Sequence, residues 1–188
     1  MDMAMDRRDA DTAPATKSGG APAGLLRAAL TRARTALLPA LAFAPAYAGG
    51  VVVAVALHLY WRETAFNTRT GAILILFALG ALLGGFLAYV LAATVAGARP
   101  FSARLAAIAV ALMAITAGVT AFLFFLQFRV YYAQWHSDHF GRLWLMQMAY
   151  TGATAVYIFM SSGLKLILPF GLPVLFAAAW VFARRKGR

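Results

Sequence analysis

Four long apolar runs, Leu37–Tyr60, Gly71–Ala96, Leu105–Phe128 and Leu164–Ala183, carry no charged side chain in their interiors. Each is close to or above the roughly 20 residues with which an α-helix crosses a bilayer core of about 30 Å. Lipid offers the backbone no hydrogen-bond partner, so a run of this kind can cross only as a helix that satisfies its own amides and carbonyls. The expected fold is therefore all-α and integral to a membrane, with four transmembrane helices plus one interfacial amphipathic helix.

Composition points the same way. With 63% hydrophobic and only 12% charged residues, the chain has too little polar surface to cover a soluble globule of 188 residues. A formal charge of +11 would suggest nucleic acid in a soluble protein. Here the basic residues flank the apolar runs, where lipid headgroups and the orientation rule account for them, so the expected partners are membrane lipids and not nucleic acid. The chain has no cysteine, which excludes disulfides, thiolate nucleophiles and thiolate metal sites. The first apolar run begins well behind the start, unlike the core of a cleaved signal peptide, and is expected to remain as an anchor.

Residues 1–22 mix four aspartates with Arg7, Arg8 and Lys17 among Ala, Thr, Pro and Gly, and show no apolar period; a disordered cytoplasmic tail is expected. Over residues 23–35, Leu26, Ala29, Leu30 and Ala33 share one helical side and Arg27, Thr31 and Arg34 the other. That is a basic amphipathic lead-in suited to an anionic membrane surface. Residues 36–188 then form the four-helix transmembrane domain, with an outer cap at 129–163.

Orientation follows from the basic residues. With the chain starting inside and crossing four times, Arg7, Arg8, Lys17, Arg27, Arg32, Arg34, Arg99, Arg104, Arg184, Arg185, Lys186 and Arg188 lie inside, and Arg62, Arg69, Arg129, Arg142 and Lys165 outside. Twelve against five obeys the positive-inside rule and places both termini in the cytoplasm. The wealth of Ala, Gly, Arg and Pro, against three lysines and one asparagine, is the bias of a GC-rich bacterial genome and suggests the bacterial inner membrane.

The stretch from Leu143 to Phe182 is too long for one crossing, yet two crossings would put the basic carboxy terminus outside. A break is expected. Gln147, Tyr150, Thr151, Thr154, Tyr157 and Ser161 recur at helical spacing and give residues 143–162 a polar stripe, so this segment is expected to lie in the interface, with a bend at Gly163 and Lys165. Pro169, Gly171 and Pro173 predict a kink or a short unwound turn at the start of the last crossing.

Small residues recur every four positions in two helices: Gly80, Gly84, Ala88 and Ala92 in the second, Ala42, Ala46, Gly50 and Ala54 in the first. Such ladders let backbones approach closely, which in lipid is a main source of helix association, either within one bundle or with another membrane protein or a second copy. In the third run Thr116, Thr120 and Gln127 share a face, offering either a polar path or hydroxyls bonded back to their own helix.

Candidate chemistry is confined to the outer face. His58 lies near the end of the first helix, and His136, Asp138 and His139 fall in the loop after the third. Imidazoles and a carboxylate are a zinc or copper ligand set, but the i, i+3 histidine spacing matches no metalloprotease helix. The same loop lies in an aromatic belt of Tyr60, Trp61, Tyr131, Tyr132, Trp135, Phe140 and Trp144, where such residues commonly mark a membrane interface. No nucleophile motif, phosphate loop or intramembrane carboxylate pair completes a reaction, and no cofactor is required. The leading expectation is a non-enzymatic subunit or accessory protein of a membrane complex. Two alternatives are a metal- or haem-associated redox protein using His136, Asp138 and His139, and a small transporter.

Overall fold

In the computed structural model, residues 21–62, 68–96, 98–132 and 141–185 are described, without the side chains of 21–23 and 25. They form helices α1 (Ala21–Trp61), α2 (Thr68–Ala96), α3 (Phe101–Tyr132), α4 (Arg142–Ile158) and α5 (Leu164–Arg184), with a π-helical turn, Phe159–Gly163, between the last two. Four continuous helical stretches are long and apolar enough to cross a membrane, the last being Arg142–Arg184. The described residues contain no strand.

Helices α1, α2, α3 and α5 close a ring in which α1 packs on α2 and α5, and α3 on α2 and α5; α4 lies outside the ring against α3. All four ring members meet around one aromatic cluster. Phe43 stands 5.1 Å from Tyr89, Tyr89 meets Phe182 edge-on at 4.8 Å, and the Arg104 guanidinium sits 5.7 Å over the Phe182 ring. Such pairs add about 0.5–1.5 kcal/mol each beyond the area they bury.

Two arginines close helix ends. The last carbonyls of a helix lack intrahelical donors and carry the negative end of its dipole, so a guanidinium from a neighbour is a natural cap. Arg32 of α1 donates to the Thr94 carbonyl in the last turn of α2 at 3.0 Å. Arg104 of α3 donates to the carbonyls of Phe182 and Arg185 at the end of α5. Both caps lie at the end of the bundle where α1 begins.

Two expectations are corrected. The helix does not break between residues 143–162 and the last crossing: Ile158 and Leu164 on either side of the π turn both keep right-handed helical dihedrals. The Leu164 amide donates to the Phe159 carbonyl five residues back, the signature of a π turn, and the helix absorbs one extra residue without breaking. Gly163 serves another purpose. A Cβ there would stand 2.7 Å from the Phe159 ring, so the glycine gives that ring room to lie in the core, 6.5 Å from Phe77 of α2. Of the kink or unwound turn expected at Pro169, Gly171 and Pro173, the unwound turn does not form, since α5 runs through them as α1 runs through Pro39 and Pro45. At about 1.5 Å per residue the 43-residue stretch is about 65 Å long.

Candidate functional site

The small-residue ladders occupy two different settings. In α2, Gly80, Gly84, Ala88 and Ala92 are all buried. A Cβ on Gly80 would fall on the Thr120 hydroxyl, and one on Gly84 would stand 2.7 Å from the Thr116 Cα, so α2 and α3 touch backbone to backbone. The two threonines spend their hydroxyls inside this contact. Thr120 donates to the Thr116 carbonyl at 2.7 Å, and the Thr116 hydroxyl lies 3.4 Å from the Tyr47 hydroxyl. Gln127, on the exposed part of α3, does not join them.

The α1 ladder divides. Gly50 faces α5, where its Cβ would meet Val174 at 2.7 Å, and Ala54 is buried. Ala42 and Ala46 are exposed, as is Gly49, around which a Cβ would find nothing within 4 Å. Helix α1 thus presents an uncovered strip of small residues on the outside of the bundle.

Of the candidate metal ligands, His58 is partly buried against α5, with its ring 6.4 Å from that of Phe170. His136, Asp138 and His139 lie outside the described residues. Among the described residues, no three His, Cys, Asp or Glu side chains come together as a metal site.

A feature missed in the sequence reading is a cavity of about 600 Å³ between α3 and α4. Small residues of both helices, among them Gly118, Ala121, Gly152 and Ala153, hold the walls apart from any bulky side chain, while Phe122, Phe125, Phe159 and Met160 form its apolar flanks. Gly152 rests on the Phe125 ring at ordinary contact distance, 3.6 Å from where its Cβ would be. The polar stripe of α4 turns the opposite way, with Tyr150 and Tyr157 exposed by 75% and 72%. The lining is apolar throughout, with neither an acid–base pair nor a nucleophile.

No protein family, curated protein or solved structure matches this chain.

Proposed function

We propose that this chain is a multi-pass protein of the bacterial inner membrane, with both termini cytoplasmic, and that it serves as a non-enzymatic subunit or accessory protein of a membrane complex. The apolar length of its helices supports insertion. The twelve-to-five distribution of basic residues supports the orientation. The single continuous stretch Arg142–Arg184, with α4 packed on α3, supports four crossings, so that the chain ends on the side where it began.

The single observation that carries the partner reading is the strip Ala42, Ala46 and Gly49. The matching ladder on α2 is consumed inside the bundle, whereas this one is left facing outward. Small residues at that spacing allow a second transmembrane helix to come within backbone contact, and van der Waals packing of that kind binds helices in lipid without any hydrophobic drive. The partner is a transmembrane helix of another protein.

The test is co-purification of the tagged full chain from native membranes in mild detergent. Wild type brings down one membrane protein in stoichiometric amount, and Ala42→Leu combined with Ala46→Leu loses it while keeping the wild-type melting temperature, because both alanines are exposed. A partner retained by the double variant, or wild type recovered alone, refutes the assignment.

A further inference from the structure

The groove between α3 and α4 has a chemistry at its mouth that its lining does not share. At 3.6 residues per turn, Gly118, Phe122, Phe125 and Arg129 fall on one face of α3, so the helix runs from the groove directly to a guanidinium one turn beyond Phe125. On α4, Met160, Val156, Ala153, Ala149 and Arg142 likewise share a side, which places a second guanidinium two turns before Ala149. Residues 133–141 join these two helix ends, so the topology brings both arginines to the same end of the groove. Both are exposed. From residue 21 to 185 the chain has only two acidic residues, Glu63 and Asp138, so the two arginines outnumber the single carboxylate between them in sequence.

We propose that this groove holds an acyl chain of an anionic phospholipid whose phosphate sits between Arg129 and Arg142. The volume of about 600 Å³ lies within the roughly 300–1,000 Å³ of small-ligand sites. The uncharged stretch between Arg104 and Arg129 covers 25 helical steps, about 37 Å, which matches a hydrocarbon core of about 30 Å plus part of each headgroup layer. Arg129 therefore stands at phosphate height when Arg104 stands at the opposite interface. Guanidinium forks bind phosphate oxygens in pairs, and two cations at one groove end favour a headgroup whose phosphate has no choline cation to offset it, while the apolar walls take the tail. This assignment is independent of the α1 strip, and neither test bears on the other.

The experiment uses the full chain, purified and delipidated in detergent, with palmitoyl-oleoyl phosphatidylglycerol and palmitoyl-oleoyl phosphatidylcholine as probes that share tails and differ in charge. Native mass spectrometry is expected to show one bound lipid, with the anionic lipid favoured by roughly tenfold or more. Arg129→Gln with Arg142→Gln brings the anionic lipid down to the zwitterionic level and leaves the lipid-free melting temperature unchanged. Gly118→Leu, at a position where a Cβ would meet nothing within 4 Å, puts bulk into the groove and weakens both lipids. Glycerol phosphate, a headgroup without a tail, does not compete. Equal binding of the two lipids, a preference that survives loss of both arginines, undiminished binding by Gly118→Leu, competition by glycerol phosphate, or self-association in place of lipid binding each overturns the proposal.

Discussion

Gly84→Ala sets two known effects against each other, and the structure decides which wins. Alanine is favoured over glycine in a helix interior by about 0.8–1.0 kcal/mol, so with free space the substitution stabilises. Gly84 has none. Its Cβ would stand 2.7 Å from the Thr116 Cα and 3.0 Å from the Thr116 hydroxyl, where ordinary contact begins at 3.4 Å. The nearest atom belongs to backbone and cannot rotate away, so α2 and α3 must part by most of an ångström. A gap of 0.5–1 Å forfeits roughly a quarter to a half of each dispersion contact, and overpacking of this kind costs about 1–3 kcal/mol. The cost exceeds the propensity gain, leaving a net loss of about 1 kcal/mol and a melting temperature lower by roughly 2–4 °C. Gly84→Leu, with more bulk at the same contact, lowers it further, whereas Leu79→Ala on the 46% exposed side is mild. Gly118→Ala is the control of opposite sign, since nothing lies within 4 Å of its Cβ and only the propensity term acts. Thermal unfolding in one detergent, followed by circular dichroism, reads all four. A melting temperature raised by Gly84→Ala as much as by Gly118→Ala would refute the backbone contact.

Arg104→Met keeps the aliphatic stem but removes the donors to the Phe182 and Arg185 carbonyls and the charge over the Phe182 ring; the end of α5 is expected to exchange its amide hydrogens about tenfold faster, a loss of about 1.4 kcal/mol in local opening, measured by hydrogen exchange. For the membrane orientation, a periplasmic phosphatase fused after Ser137 is expected to be active and one fused after Arg188 inactive; activity at Arg188 would mean that residues 143–162 cross the membrane.

The lipid-length runs were legible because their constraint is local: a charge-free stretch of that length has few alternatives. The helices nevertheless exceed the apolar runs that announced them. Helix α1 reaches from Ala21 through the basic lead-in, and α3 begins four residues before Leu105, because backbone hydrogen bonding continues past the last apolar side chain. The break expected at Gly163 fails for a related reason. Glycine and proline read as stops where water can satisfy a freed carbonyl, but here Gly163 makes room for the Phe159 ring and both prolines of α5 lie inside a continuous helix. The α3–α4 groove was half visible. The polar stripe of residues 147–161 implied an apolar opposite face, yet only the fold shows that this face meets α3 across small residues that do not fill the space.

The two glycine and alanine ladders show where periodicity stops deciding an outcome. A repeat of four residues on a helix of 3.6 per turn advances about 40° at each step, so three steps sweep about 120° around the helix. Identical spacing therefore covers a broad arc rather than a line, and its fate depends on how many neighbours flank that arc. Helix α2 lies between α1 and α3, so its ladder stays covered from Gly80 through Ala92. On α1 the same sweep carries the ladder from an exposed Ala42 and Ala46 to Gly50 against α5 and a buried Ala54. The residues that look alike in sequence thus divide into one set spent on the fold and one set left outside it, and the second set is where another helix has room to dock.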